Sequence, residues 1–346
     1  MEREAKSRAA EFPGTGVCRR RQRATGYRWL VPLFLLILLP GIAWPQVSSP
    51  PQSRQGGDYT IKVSVDSVVL RATVQDHKGV LVSGLGKDQF QVYEDGVPQQ
   101  ITYFSHEDIP VTVGMVVDNS GSMGPKRSDV IAAALAFARS SNPEDQMFAV
   151  LFNENVSFGL PGNTPFTDKA NHLEIALSRI APDGLTALYD AVAAGLEHLQ
   201  KGNRDKKVLI VVSDGGDNAS KHKLAQIMAM ARQSDAIVYT VGIFDENDPD
   251  RNPHVLKQLA KDTGGEAFLP ESLKDVVPIC ERIARDIRNQ YTVVYTPTNS
   301  KQDGTYRGIQ VKAAAPGRGG LVVRTRAGYT APLKPQPLPV SQNSRP

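Results

Sequence analysis

Cysteine is almost absent from this chain, which has two, Cys18 and Cys280, among 346 residues. Two thiols can form at most one disulfide, so a scaffold held together by several disulfides is excluded. Stability must come from a buried apolar core, and a chain of this length can build one over two domains. Cys280 ends an apolar stretch, Val276–Cys280, which is typical of a small buried hydrophobe.

A net charge of one sign is also lacking. The chain has 40 Lys and Arg against 36 Asp and Glu, and the whole basic surplus lies before Trp29. That short surplus accounts for the whole formal charge of +4, so the rest of the chain is close to neutral. A nucleic-acid partner is therefore not expected.

The apolar run near the N-terminus is too short for an ordinary membrane span. Trp29–Ala43 is interrupted by two prolines and is shorter than the ~17–25 residues that a spanning helix needs. Basic residues, a short apolar run and small residues at its end predict a signal peptide over 1–43, cleaved near Ala43. We expect a secreted or periplasmic protein; the alternative is an uncleaved membrane anchor over 29–43.

Two segments have the composition of flexible chain. Residues 44–57 are mostly Pro, Ser, Gln and Gly, which predicts a linker. Residues 331–346 hold many prolines and almost no charge, which predicts a disordered tail.

Strand patterns flank the central region on both sides. Between 58 and 108, Asp95-Gly96 separates the apolar-patterned stretches Phe90–Glu94 and Val97–Phe104, which predicts a type I′ hairpin. Further strands are predicted after residue 290, at Tyr291–Tyr295, Tyr306–Ala313 and Leu321–Thr325. Because neither side has enough strands to bury two faces, we expect 58–108 and 290–330 to form one β-sandwich. Two separate small sheets are the alternative.

Strand and helix patterns alternate between 109 and 289. The predicted strands are Val111–Asp118, Met147–Asn153, Val208–Asp214, Ile237–Ile243 and Ala267–Leu269, with Val156–Leu160 as an antiparallel edge. The predicted helices are Lys126–Ser140, Asp168–Ile180, Leu188–Gln200, Lys221–Gln233, Pro253–Asp262 and Leu273–Asn289. This alternation predicts an α/β fold, a doubly wound and mostly parallel sheet of Rossmann-like type, inserted in the β-sandwich.

Oxygen-bearing side chains follow the first strand of this region. Asp118, Ser120 and Ser122 come directly after the apolar run Val111–Val117. Ligands of open α/β sheets bind at the C-terminal ends of the strands, and hard oxygen donors suit Mg²⁺ or a similar cation. Ser and Asn are also common in turns and helix caps, so a capped turn without metal is the alternative interpretation.

Two later segments add donors of the same kind. Thr186 stands at the entry to a predicted helix, and Asp214 ends a second apolar strand. Together, Asp118-x-Ser120-x-Ser122, Thr186 and Asp214 resemble the metal-ion-dependent adhesion site of von Willebrand factor type A (VWFA) domains. All five motif positions match.

The resemblance spans roughly 110–289 and implies a role for each donor. It makes Ser120, Ser122 and Thr186 hydroxyl ligands of one divalent cation, Mg²⁺ or else Mn²⁺ or Ca²⁺. Asp118 and Asp214 would act directly or through water. Since Mg²⁺ takes six oxygens and retains waters readily, a position is left for the carboxylate of a partner.

The wider layout is similar to bacterial secreted VWFA-related proteins. We therefore expect a non-enzymatic adhesion protein that binds an acidic side chain of another protein through the cation. The alternative is a metal-dependent hydrolase or phosphatase that uses the same ion as a Lewis acid. The sequence shows no convincing general base for that reaction.

Overall fold

The computed structural model describes residues 67–179, 181–244 and 251–334. The predicted signal peptide and linker lie outside these ranges, as does the predicted tail beyond residue 334. Within the described ranges, no helix is long and apolar enough to cross a membrane.

Within the α/β region, the strands and helices follow the predicted order. The strands are β1 Val68–Gln75, β2 Phe90–Glu94, β3 Val97–Gln99, β4 Ile101–Ser105, β5 Val111–Asp118, β6 Gln146–Phe152, β7 Val156–Phe158, β8 Lys206–Ser213, β9 Ile237–Gly242, β10 Ala267–Phe268, β11 Tyr291–Tyr295, β12 Tyr306–Ala313, β13 Val322–Arg324 and β14 Gly328–Thr330. The helices are α1 Arg127–Ser140, α2 Ala170–Ser178, α3 Leu188–Leu199, α4 Leu224–Gln233, α5 Pro253–Thr263 and α6 Val276–Arg288.

A six-stranded sheet forms the centre of the α/β region, in the order β10-β9-β8-β5-β6-β7. All neighbouring pairs are parallel except β6–β7, so β7 is the antiparallel edge that the sequence predicts. Every residue of β5 is buried, because helices cover the sheet on both faces. Helix α1 packs against α2 and α6, while α4 packs against α3 and α5. The predicted α/β fold is confirmed.

Two antiparallel sheets flank the α/β region, in the orders β13-β1-β11-β4 and β14-β12-β2-β3. Each sheet contains strands from before and from after the α/β region. Side chains from both sheets, among them Leu70, Phe90, Tyr291 and Val311, share one apolar core. The arrangement is therefore a single β-sandwich, into which the α/β region is inserted.

The hairpin turn between β2 and β3 has the predicted backbone. Asp95 and Gly96 both have positive φ, at 48° and 81°, as a type I′ turn requires. Glu94 pairs with Val97 across the turn.

The prediction of one continuous strand over Val97–Phe104 is wrong. The segment forms two strands that belong to different sheets, β3 beside β2 and β4 beside β11. The chain changes sheets next to Gln99, whose side-chain amide donates to Thr298 Oγ1 and accepts from Thr298 N. A pattern of alternating apolar residues continues through such a corner, so the sequence does not reveal it.

Both connections to the sandwich leave the α/β region at one end. Lys206, the first residue of β8, donates to the carbonyl oxygen of Ile287 near the end of α6. Arg288 forms an ion pair with Asp108, just before β5, at 3.9 Å. The C-terminal ends of the parallel strands therefore face away from these connections.

A close backbone contact joins the sandwich to α5. Gly264 ends this helix in the left-handed conformation, with φ of 86°. A Cβ atom there would lie 2.5 Å from the backbone nitrogen of Arg326. Ala327 N donates to Asp262 O at 3.2 Å, so the chain before β14 runs directly along the end of the helix.

We expect Gly264→Ala to destabilise the chain more than Gly79→Ala does. Both glycines have positive φ, which costs an alanine about 1–2 kcal/mol. A Cβ on Gly79 would have no neighbour within 4 Å, whereas one on Gly264 would overlap backbone atoms. Urea unfolding of both variants measures the difference, and equal losses of unfolding free energy would contradict the close contact.

We expect the free energy of unfolding to rise with pH because of the buried amine of Lys206. Its side chain is buried, and burial lowers the pKa of its amine to about 7. The unfolded chain, with a lysine pKa of about 10.4, then binds a proton between pH 7 and 10 that the folded chain does not hold. Stability therefore increases through this window, by about 1 kcal/mol per pH unit at its steepest. Urea unfolding at pH 7, 8 and 9 should show this increase for the wild type and a smaller one for Lys206→Met. Parallel pH profiles would contradict it.

Candidate metal site

The predicted site is built on the ends of two neighbouring parallel strands. Asp118 is the last residue of β5, and Asp214 directly follows β8. The two strands pair with Val117 opposite Val212, so both carboxylates come to the same edge of the sheet. Each aspartate is only 3% exposed.

Hydrogen bonds orient the Asp118 carboxylate. Its Oδ1 accepts from Ser120 N at 2.9 Å, and its Oδ2 accepts from the hydroxyl of Ser213 at 2.6 Å. Burial raises the pKa of Asp118 to about 6; bonds from Ser120 and Ser213 oppose the rise, and the nearby charge of Asp214 adds to it. Deprotonated Asp118 would therefore gain from a nearby positive charge.

The two serines link Asp118 to Asp214. The hydroxyls of Ser120 and Ser122 are 3.3 Å apart, and the Ser122 hydroxyl lies 3.1 Å from Asp214 Oδ2. Ser120 is buried, whereas Ser122 is exposed. The row of oxygens thus begins inside the protein and ends at its surface.

Thr186 reaches the same edge through backbone contacts. Gly121 N donates to Gly184 O at 3.2 Å, and Asp183 N donates to Asn119 O at 3.1 Å. These bonds bring the loop before α3 against the loop after β5, and Thr186 itself is 8% exposed. All five predicted residues therefore lie at one edge. Four of them are connected by side-chain hydrogen bonds, and Thr186 is placed there by its loop.

Asn119 also belongs to the site. The sequence motif does not specify it, because it lies at the unspecified position between Asp118 and Ser120. Its side-chain nitrogen donates to Ala181 O, and its Oδ1 accepts from Arg127, each at 2.9 Å. Arg127 also donates to Leu177 O at the end of α2. Asn119 thereby ties the two donor loops to α1 and α2.

Ser213 was also missed by sequence reasoning. It is fully buried, its hydroxyl donates to Asp118, and the same hydroxyl accepts from Gly215 N at 3.1 Å. The signal was present, since a polar residue follows the apolar run Val208–Val212 directly before Asp214.

Residues near the candidate donors in sequence include an exposed leucine and a buried lysine. Leu185, next to Thr186, is 54% exposed, and its backbone nitrogen donates to Glu154 at 3.1 Å. Lys126 is buried, and its amine donates to Ile243 O at 3.0 Å.

The spacing of the oxygens fits a divalent cation. Mg²⁺ takes six oxygens at about 2.1 Å in an octahedron, in which adjacent ligand oxygens are ~3 Å apart. The separations from Ser120 to Ser122 and from Ser122 to Asp214, 3.3 and 3.1 Å, are close to this value. The donor set of carboxylates and hydroxyls is also the type that Mg²⁺ and Mn²⁺ prefer.

The charges of the two aspartates also favour a bound cation. Across 67–179, 181–244 and 251–334, no ion pair joins Asp118 or Asp214 to a basic side chain. Two adjacent buried carboxylates without a counter-ion are costly, and a cation would offset that cost. The described residues contain no group of three or more His, Cys, Asp or Glu side chains that could hold a metal. The candidate site differs from such groups because three of its five donors are hydroxyls.

Solved structures with similar architecture were found at low sequence identity. A von Willebrand factor type A protein from Catenulispora acidiphila is 13% identical, with 75% of this chain and 74% of that chain covered and a TM-score of 0.46. An aerotolerance-related membrane protein from Bacteroides fragilis is 15% identical, with 51% and 98% covered and a TM-score of 0.42. The vWF domain of the type V pili tip protein Mfa5 from Porphyromonas gingivalis is 14% identical, with 52% and 95% covered and a TM-score of 0.45.

Sequence comparison identifies the family of the α/β region. No curated protein sequence matches the chain significantly. The family model of the von Willebrand factor type A domain matches residues 113–279. This match covers the strands and loops that bring Asp118, Thr186 and Asp214 together, and residues 113–279 are a von Willebrand factor type A domain.

Proposed function

We propose that the chain is a secreted, non-enzymatic protein that binds an acidic side chain of a protein partner through one divalent cation. The residues that would hold the cation are Asp118, Ser120, Ser122, Thr186 and Asp214. The observation that supports this most directly is the meeting of two buried carboxylates and a row of hydroxyls at one sheet edge. In the part of the chain that the structure describes, no basic side chain is paired with either acid.

Each donor has a separate task in this proposal. The hydroxyls of Ser120, Ser122 and Thr186 bind the cation directly, and the two aspartates neutralise it directly or through water. Ser213 keeps the Asp118 carboxylate in place by its 2.6 Å hydrogen bond. When bound, the cation supplies a positively charged centre to which a carboxylate oxygen of the partner binds in place of water.

The placement of the site suits a binding function. Ser122 is exposed, so a partner can approach the row of oxygens from its side. The connections to the sandwich lie at the opposite end of the parallel strands. A partner at the site therefore meets no obstruction from the sandwich. Secretion, which the predicted signal peptide supports, would bring the site into contact with extracellular partners.

We expect Asp118→Ala to reduce Mn²⁺ affinity by about 100-fold, the upper end of the 10–100-fold range for residues that support a metal site, because it removes a negatively charged carboxylate. Thr186→Ala removes one neutral oxygen and should cost less, about 10-fold. Titration calorimetry measures both affinities.

The matched control for this titration is Asp88→Ala, which removes an exposed carboxylate from the sandwich. It should leave Mn²⁺ affinity unchanged. Circular dichroism spectra should show that all three variants are folded. Equal affinity of the wild type and Asp118→Ala would end the site assignment.

Selection from a random peptide library on the immobilised protein tests the ligand chemistry. In the presence of Mg²⁺ we expect enrichment of peptides that contain Asp or Glu, because a carboxylate adds a charge-assisted contact to the cation. EDTA or Asp118→Ala should abolish their binding, and replacement of the acid by its amide should weaken it at least about tenfold. Binding that survives EDTA would contradict the proposal.

Mg²⁺-dependent hydrolysis of a phosphate ester, lost in Asp118→Ala, would favour the hydrolase alternative.

A further inference from the structure

Helix α3 begins without a cap of its own. Its N-cap position is Ala187, whose methyl side chain cannot accept a hydrogen bond. The first amides of a helix have no partner within the helix and need acceptors from elsewhere. Here they come from the loop after β8. Tyr189 N donates to Asp217 Oδ2 at 2.8 Å, and Asp190 N donates to the hydroxyl of Ser220 at 3.0 Å.

The same loop holds both backbone groups of Thr186. Its N–H donates to Asn218 Oδ1 at 2.9 Å. Its carbonyl oxygen accepts from Asn218 N at 3.0 Å and from Ala219 N at 3.1 Å. The peptide units on either side of the Thr186 side chain are thereby fixed to residues 217–222, which we call the bracket.

Helix α3 holds the bracket in return. The Asp190 carboxylate accepts from Lys221 N at 3.0 Å, from His222 N at 2.8 Å and from His222 Nδ1 at 2.7 Å. Within the bracket, the Ser220 hydroxyl donates to Asp217 at 2.6 Å. The start of α3 therefore donates hydrogen bonds to the bracket and also accepts hydrogen bonds from it, so the two segments hold each other in place.

The bracket is also tied to the other half of the candidate site. Only Gly215 and Gly216 separate it from Asp214 along the chain. Gly216 N donates to Asp214 Oδ1 at 3.0 Å. Gly215 has φ of 81°, and a Cβ atom there would overlap the backbone of Asn252. The backbone of Gly215 and Gly216, which connects Asp214 to the bracket, is thus restrained at both residues.

We propose that the bracket is a positioning device that sets the Thr186 hydroxyl relative to Asp118 and Asp214. Asn218 is the positioning residue with the most direct effect, because it holds the backbone of Thr186. The inference rests on the proposed metal function of the site. It differs from ordinary helix capping, which would stabilise α3 without any effect on the affinity for a cation.

The experiment compares Mn²⁺ affinity in Asn218→Ala and Asn218→Asp by titration calorimetry. Asn218→Ala removes the acceptor for Thr186 N and should lower affinity severalfold, up to the ~10-fold loss expected for Thr186→Ala, because it acts through the Thr186 hydroxyl. Asn218→Asp keeps an oxygen at this position and adds negative charge, so it should bind at least as tightly as the wild type. Wild-type affinity in Asn218→Ala, or a failure of Asn218→Asp to restore it, would overturn the inference.

Asp145→Ala is the control for general destabilisation. Asp145 is a buried carboxylate that accepts from Val111 N at 2.8 Å and from Asn142 N at 3.0 Å, at the start of β5. Its loss should lower the midpoint of urea unfolding and leave Mn²⁺ affinity unchanged. A loss of affinity equal to that of Asn218→Ala would overturn the inference, since instability alone would then explain both.

Hydrogen exchange of the metal-free protein separates this inference from the proposed function. Asn218→Ala should speed exchange of the Thr186 amide relative to the wild type, because that amide loses its acceptor. If the wild type binds no Mn²⁺, the proposed function fails, and the bracket is judged by exchange alone. Faster exchange at Thr186 then supports the positioning role, and unchanged exchange overturns it.

Discussion

The proximity of two buried carboxylates is the constraint on which this end of the molecule depends. Asp118 and Asp214 are adjacent because β5 and β8 are parallel neighbours whose chains end at the same level. Two like charges out of water are unfavourable unless donors or a cation surround them. The local structure meets this need with hydroxyls from Ser120, Ser122 and Ser213 and with backbone amides. A cation would neutralise the negative charge that these neutral donors stabilise only in part.

The opposite side of the α/β region performs a structural task. Arg324 of β13 lies 2.7 Å from Asp286 on α6 and 2.9 Å from Glu266 before β10. Asp286 is fully buried, and burial raises the pKa of its carboxyl while Arg324 opposes the rise. Removal of one member of such a buried pair leaves an uncompensated charge, so the pair fixes the relative position of sandwich and helix. This ion pair therefore lies at the sandwich side of the α/β region, whereas the exposed Ser122 hydroxyl lies at the other end.

Sequence periodicity was sufficient for the elements whose two faces are buried alike. The run Val111–Asp118 is apolar up to its acid except for Thr112, and the strand was predicted with both of its ends correct. Periodicity failed where the partner of a strand changes, as at Gln99, because the local pattern does not contain the identity of the sheet. The five candidate donor positions were predicted from a pattern of residue types, and the structure brings them to one edge of the sheet. Asn218 was not found, because its hydrogen bond to the Thr186 amide is a tertiary contact that no spacing in the chain records. Ser213 could have been found, because it follows an apolar run directly before Asp214.

Anomalous diffraction from crystals grown with Mn²⁺ tests the central claim most directly, because it locates the ion without reference to affinity or partner. The account predicts one strong peak within bonding distance of the hydroxyls of Ser120 and Ser122, with Asp118 and Asp214 on its inner side. Chelation before crystallisation should remove the peak. The absence of a peak at saturating Mn²⁺, or a peak remote from these residues, would contradict the account.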